Sequence, residues 1–153
     1  MQATIIFLHS ILRWIILLLL IASIVKSYSG WQGKKVFSDG DRKLWLFTMI
    51  AAHTTLLIGL ILLFFGPYGI VTAGMPVGTE LMKDKFYRFY WIEHPFALII
   101  AVALITIGRG MAKKNLPDPI KNKRAFWFFF IALIIILATV PWPFRQVVGK
   151  PWI

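Results

Sequence analysis

The stretch Thr4–Val25 reads TIIFLHSILRWIILLLLIASIV, and its composition is that of a membrane-spanning helix. About 20 predominantly apolar residues are enough to cross the roughly 30 Å hydrocarbon core of a bilayer as an α-helix. Three further runs meet this requirement, and they are Leu44–Phe65, Phe89–Gly108 and Ala125–Phe144. The sequence therefore predicts an all-α integral membrane protein, built as a single four-helix bundle over residues 1–153.

The composition of the whole chain supports this class. Hydrophobic residues make up 59% of the 153 residues, which is more than a soluble domain of this size can bury. The first run has no positively charged segment before it and carries Arg13 within it, so we expect a retained helix rather than a signal peptide. The chain has no cysteine, which excludes disulfides, thiolate-bound clusters and cysteine-based zinc sites.

The basic residues are distributed unevenly between the connecting segments. The two segments that follow the first and third runs hold Lys26, Lys34, Lys35, Arg42 and Lys43, and Arg109, Lys113, Lys114, Lys121, Lys123 and Arg124. The positive-inside rule assigns both segments to the cytoplasm, and hence both termini to the outer, periplasmic side. Attraction to anionic lipid headgroups accounts for the net charge of +11, so we expect the lipid bilayer and no nucleic acid as partner.

Local residues predict where the helices begin and end. Ser38, Asp39 or Asp41 is suited to capping the second helix, and the third helix is expected to start near Thr79 and Glu80. The predicted helix ends are the turn Gly66-Pro67-Tyr68-Gly69, the segment Asn115–Pro119 and a disturbance at Pro141 and Pro143.

The chain has three histidines, His9, His53 and His94, one in each of the first three runs. At 1.5 Å per residue, His9 and His94 lie about 8 and about 9 Å below the outer interface, whereas His53 lies near the midplane. The first and third helices of a sequential bundle are diagonal neighbours, so His9 and His94 can face each other across its centre. This arrangement predicts a b-type haem with two axial imidazoles, His9 and His94 being the preferred pair.

Charged residues near these histidines strengthen the prediction. Arg13 follows His9 by one helical turn and lies about 14 Å into the membrane, where a guanidinium needs an anionic or carbonyl partner. The candidate partners are Glu93 and a haem propionate, and Arg88 is a further candidate for binding a propionate. Glu93, which precedes His94, is the candidate for moving a proton with the electron.

Four motifs carry a resemblance to a known group of proteins. They are Leu8-His9-Ser10 with Arg13-Trp14, Gly40-Asp41-Arg42-Lys43-Leu44, Glu93-His94-Pro95 and Pro141-Trp142-Pro143-Phe144-Arg145. Across nearly the whole chain, they resemble small bacterial four-helix membrane proteins of the cytochrome b or cytochrome b561-like type. The resemblance implies haem b between the helices, electron transfer at the bacterial inner membrane, and His9, His53 and His94 as candidate ligands. Two-haem b561 proteins have four histidine ligands, so three histidines predict a single haem.

Other functions remain open at the level of sequence. Three imidazoles meeting at one point, with Glu93 as base or fourth ligand, would form a zinc or copper site, although the depth of His53 makes this awkward. Alternatively, the buried polar groups specify docking of an accessory subunit to a respiratory complex or to a second copy of the chain. For the haem protein, a quinol is the expected electron donor, because aromatic side chains cluster at the outer mouth: Tyr87, Tyr90, Trp91 and Trp142.

Overall fold

Four long helices form the protein in a computed structural model that describes residues 2–153. Helix α1 spans Gln2–Gln32, α2 spans Asp39–Phe65, α3 spans Lys85–Lys113 and α4 spans Asp118–Thr139. Each of the four is long and apolar enough to cross a membrane. The prediction of an all-α fold with four membrane-length helices is therefore confirmed.

The helices pack in sequence order around a ring. Helix α1 packs against α2, α2 against α3, α3 against α4, and α4 closes the ring against α1. Helices α1 and α3 thus occupy diagonal positions, as expected for a sequential bundle. We call the end of the bundle that holds the start of α1 and the end of α4 the terminal end, and the opposite end the loop end.

The bundle is packed most tightly toward the loop end. Trp45 and Phe129 are fully buried there, in edge-to-face contact at 5.5 Å between ring centroids. Outward-facing positions carry large apolar side chains such as Leu18, Leu57 and Phe96, each at least 60% exposed. Such a surface suits contact with hydrocarbon chains. The candidate site lies in the other half of the bundle, toward the terminal end.

The capping predictions for α2 are confirmed. The Ser38 hydroxyl accepts a hydrogen bond from the Asp41 backbone N–H at 3.1 Å, and the Asp41 carboxylate accepts one from the Ser38 N–H at 3.0 Å. This reciprocal pair is a capping box, which satisfies two otherwise free backbone donors. Gly66 directly follows the last residue of α2, also as predicted.

Two boundary predictions are wrong. Helix α3 begins at Lys85 and not near Thr79, because Asp84 supplies the cap by accepting from the Tyr87 N–H at 3.0 Å. Helix α4 ends at Thr139 and does not reach Phe144. Pro141 and Pro143 lack the backbone N–H groups that would extend it.

Helix α3 changes its hydrogen-bond pattern just before its histidine. Phe89–Glu93 forms a π-helical segment, and the His94 N–H donates to the Phe89 carbonyl five residues back. Pro95 follows at once and cannot donate to any carbonyl. Single π turns occur often at functional sites, because the extra residue changes the direction of the side chains that follow. The π turn therefore sets the direction in which His94 leaves the helix.

Two glycines let α4 approach its neighbours closely. A Cβ atom on Gly108 of α3 would lie 2.7 Å from the Phe129 ring, and one on Gly30 of α1 would lie 2.6 Å from the Asn122 side chain. Small residues at helix contacts are the usual way for membrane helices to reach close packing. The approach of α3 to α4 therefore depends on the missing side chain of Gly108.

We predict that Gly108→Ala destabilises the bundle by about 1–3 kcal/mol, since the buried Phe129 ring has no room to move. Gly110→Ala is the matched control, because a Cβ atom there meets nothing within 4 Å. Thermal unfolding of the two purified variants in the same detergent provides the measurement. A Gly108→Ala midpoint equal to that of Gly110→Ala would contradict the packing argument.

Candidate functional site

A cavity of about 460 Å³ lies between the helices in the terminal half of the bundle. Its volume falls in the range of small-molecule and cofactor sites. Helices α1, α2 and α3 each contribute a row of residues about one turn apart. Helix α4 contributes only Ile136, and Val140, the first residue after α4, also lines the cavity. The early end of α4 explains this asymmetry, because the chain beyond Thr139 is no longer helical and leaves space beside α1 and α3.

His9 and His94 both line this cavity. The structure thus brings together the two histidines that the sequence paired by depth. The His9 ring lies against α2 at Gly59, where an added Cβ atom would be 3.1 Å from its Cε1. The Nδ1 atom of His9 is buried and has no hydrogen-bond partner within residues 2–153. A buried polar nitrogen without a partner is costly and indicates a missing ligand or water.

His94 is held in a defined orientation. Its Nδ1 lies 2.8 Å from the Thr139 carbonyl oxygen, and since a carbonyl can only accept, the proton must be on Nδ1. In the neutral imidazole Nε2 is then the unprotonated nitrogen, which is available to accept a proton or bind a metal. The Thr139 carbonyl is free for this contact because α4 ends there and Pro143, four residues on, has no N–H.

The C-terminal segment closes the terminal end of the bundle. We call residues 141–153 the strap. The buried guanidinium of Arg13 donates a hydrogen bond to the Trp152 carbonyl, and the Trp14 Nε1–H donates to the same oxygen at 3.1 Å. The guanidinium also lies 5.3 Å from the Trp14 ring centroid and 5.7 Å from that of Trp142, at cation–π distance. Arg13 therefore has a carbonyl partner. A carbonyl is one of the two kinds of partner expected from its position within an apolar span.

Lys150 is a cavity residue that the sequence did not reveal. It lines the cavity from the strap, with its Nζ 4.8 Å from the Tyr68 ring centroid and 5.5 Å from that of Tyr90. The Tyr90 hydroxyl fixes the strap nearby by donating to the Val148 carbonyl at 2.6 Å. The only sequence signal is the recurrence of proline and tryptophan, at Pro141-Trp142 and Pro151-Trp152, in a tail too short to span a membrane.

Three of the sequence candidates lie away from the cavity. His53 is exposed on the outside of α2, and its Nδ1 lies 2.9 Å from the Met49 carbonyl of the same helix. Glu93 is exposed and pairs with Arg88, with 2.8 Å between Oε1 and Nε. This pairing over five residues is made possible by the π turn, which brings residues five apart onto one side of the helix. Glu93 is thus the partner of Arg88 and not of Arg13.

The alternative of a three-histidine metal site is not supported by this arrangement. Over residues 2–153, no three His, Asp or Glu side chains lie close enough together to hold a metal ion. The physical reason is the direction of His53, which leaves the bundle while His9 and His94 face the cavity. A zinc or copper centre built on all three histidines is therefore not assembled in the structure.

The cavity combines two kinds of surface. Its walls are mainly aliphatic and aromatic side chains, and its polar groups are concentrated on the two imidazoles and on the cations of Arg13 and Lys150. Of the aromatic residues expected at the outer mouth, Tyr90 and Trp91 line it. Comparisons of the chain with protein-family models, with curated proteins and with solved structures find no match. The chemistry available is that of two imidazoles in a mainly apolar pocket that two cations also line.

We predict that Arg13→Met releases the strap, because the variant loses a charge-assisted hydrogen bond to the Trp152 carbonyl and two contacts between the guanidinium and indole rings. A hydrogen bond to a charged group contributes about 1.5–3 kcal/mol, so amide exchange in residues 145–153 should accelerate at least about tenfold. Hydrogen–deuterium exchange followed by mass spectrometry measures this directly.

Arg88→Met serves as the control for that experiment. Arg88 lies at the same end of the bundle, but its hydrogen bonds go to Glu93 and to the Met82 carbonyl rather than to the strap. Exchange in residues 145–153 should therefore stay close to that of the unmodified protein. Equal acceleration in both variants would mean that Arg13 has no specific hold on the strap.

Proposed function

We propose that the protein is a membrane cytochrome that holds one b-type haem in the cavity, with His9 and His94 as axial ligands. The observation that carries the proposal is the placement of two imidazoles from diagonal helices on one apolar cavity. Two imidazoles from facing helices of a bundle are side chains that would hold haem iron. Bound there, haem would supply a one-electron redox couple within the membrane.

The residues present fit this group in two respects. His94 donates its Nδ1 proton to a backbone carbonyl, which is the arrangement found for histidines that bind metals through the other nitrogen. His9 has a buried Nδ1 without a partner in the described chain, so a ligand or a water is needed to offset its desolvation. Gly59 leaves room for the His9 ring, because any side chain there would displace it.

The cations at the cavity fit the anionic edge of a haem. Arg13 and Lys150 both line the cavity, and Lys150 has no carboxylate partner within residues 2–153. They can balance the negative charge of propionates, a role the sequence had suggested for Arg13 and Arg88. Arg88 is paired with Glu93 outside the cavity, so Lys150 takes its place in the proposal.

The remaining residues bind, shield and connect the site. The strap covers the terminal end of the cavity and would limit the access of water to the imidazoles. The dielectric constant around them would then stay low. Tyr90 and Trp91 line the cavity and are the residues that a quinol donor would contact. Glu93 lies outside the cavity and pairs with Arg88, so it would not move a proton with the electron.

We further propose that the protein lies in a bacterial inner membrane with the loop end in the cytoplasm. The support is the concentration of basic residues at the loop end, on the segments between α1 and α2 and between α3 and α4. His9 and His94 would then lie in the outer half of the bilayer. Electrons would enter or leave the site near the periplasmic surface.

The test of the haem proposal is spectroscopic. We expect the protein, purified from cells supplied with haem precursors, to show a low-spin b-type band in the reduced-minus-oxidised absorption spectrum. His94→Gly and His9→Gly should each abolish the bis-imidazole signature. Added imidazole should restore it in part, since a small ligand can occupy the vacated space.

His53→Gly is the matched control, because His53 is also a histidine within an apolar helix but faces outward. Its spectrum should be unchanged. Absence of haem from a fully supplied and folded preparation would overturn the proposal, and loss of the signature in His53→Gly would overturn the assignment of ligands.

The orientation is tested with single cysteines, since the chain has none of its own. Val77→Cys, before α3, and Asn115→Cys, after α3, place thiols at exposed positions on opposite ends of the bundle. A membrane-impermeant maleimide should label the Val77→Cys variant in intact spheroplasts and the Asn115→Cys variant only after permeabilisation. The reverse pattern would show that the loop end lies outside.

A further inference from the structure

A second pocket, of about 310 Å³, opens beside the cavity at the terminal end. It lies between the start of α3 and the strap, and Lys85, Arg88 and Arg145 line it together with Glu93. Phe89 and Val148 supply apolar parts of its wall. The pocket therefore gathers three basic side chains and one acidic side chain around a space large enough for a small ligand.

The charges in this pocket are only partly balanced. Arg88 and Glu93 pair with each other at 2.8 Å. Arg145 donates from Nη1 to the carbonyls of Ala138 at 3.3 Å and Val140 at 3.2 Å, which are neutral partners. Neither Arg145 nor Lys85 contacts a carboxylate within the described chain. Two positive charges thus remain available to an anion.

The distribution of basic residues at the terminal end is selective. Arg13 and Lys150 line the cavity, while Lys85, Arg88 and Arg145 line the second pocket. Lys83 alone lines neither, and it pairs with Glu80 at 2.9 Å. The positive-inside rule gives no reason for basic residues on the outer side of a membrane. Their concentration around two spaces indicates anionic ligands instead.

An apolar surface continues from the pocket toward the membrane interior. Phe96 and Ile100 follow Glu93 by three and seven residues, so all three lie on one side of α3. Phe96 is 65% exposed and Ile100 40% exposed. A ligand with its charge in the pocket would therefore find a hydrophobic path along α3, which suits an amphipathic molecule better than a free anion.

We propose that this pocket binds the headgroup of an anionic phospholipid, with the phosphate near Lys85 and Arg145 and the acyl chains along Phe96 and Ile100. Charge complementarity selects the headgroup, and contact with the apolar face of α3 retains the lipid. The proposal rests on the proposed orientation of the bundle and not on haem, because none of its residues is a candidate ligand of haem iron. It explains why Lys85, Arg88 and Arg145 lie together at the terminal end, which neither the positive-inside rule nor the cavity explains.

The experiment is native mass spectrometry of the purified full chain in a neutral detergent, titrated separately with phosphatidylglycerol and with phosphatidylcholine. We expect one phosphatidylglycerol to bind in preference to phosphatidylcholine. Lys85→Gln should weaken this binding about fivefold, the effect of one basic residue near a lipid headgroup. Lys85 is exposed, and the cap of α3 is made by Asp84 with the Tyr87 N–H, so the variant should fold normally.

Lys83→Gln is the matched control, two residues away with the same charge but outside the pocket. It should leave phosphatidylglycerol binding unchanged. Equal weakening in both variants would show that any basic surface residue has the same effect, and this would overturn the proposal. So would equal binding of the two lipids, or displacement of phosphatidylglycerol by inorganic phosphate, which would indicate a site for free anions.

Discussion

The hydrogen bond between His94 Nδ1 and the Thr139 carbonyl, at 2.8 Å, ties the end of α4 to the beginning of the regular part of α3. It exists because two prolines stop α4 about one turn before the end of the predicted span and leave its last carbonyls without helical partners. The same stop leaves carbonyls of Ala138 and Val140 for Arg145. It also leaves the space that becomes the cavity, and it turns the following chain into the strap. The terminal half of the bundle depends on this one helix end.

Backbone carbonyls serve as partners for charges throughout this region. A cation among apolar helices needs a partner, and the chain has only six acidic residues to offer. Arg13 uses the Trp152 carbonyl, Arg145 uses two carbonyls at the end of α4, and Arg88 combines Glu93 with the Met82 carbonyl. Backbone carbonyls at the terminal end of the bundle thus accept hydrogen bonds from side chains that carboxylates commonly pair with in soluble proteins. It leaves the positive charge itself uncancelled.

Much of the fold could be predicted from the sequence, because four apolar runs of membrane length admit few other arrangements. Depth along the helix, counted from the predicted start of each span, also paired His9 with His94. Direction around the helix could not be predicted in the same way. The runs are apolar on all sides, so no polar face marks which way His53 points, and the structure turns it outward. The predicted start of α3 was wrong because Asp84, and not Thr79, provides the cap.

The strap and Lys150 were beyond prediction for a different reason. Their positions depend on long-range contacts between residues about 140 apart, such as Arg13 with Trp152, and no local periodicity encodes them. The π turn was not predicted either, because Pro95 does not specify which hydrogen-bond pattern the preceding turn adopts. Only the structure shows the π turn and the contact between Arg88 and Glu93.

Phe89 lies between the two spaces at the terminal end. Its buried ring lies 4.7 Å from the Arg145 guanidinium, which lines the pocket, and 5.7 Å from the His94 ring, which lines the cavity. A buried aromatic ring in close packing has little freedom to move alone, so a displacement of either neighbour is passed to the other. Phe89 thus contacts one residue of each space, so a substitution at this single position would alter the surroundings of both.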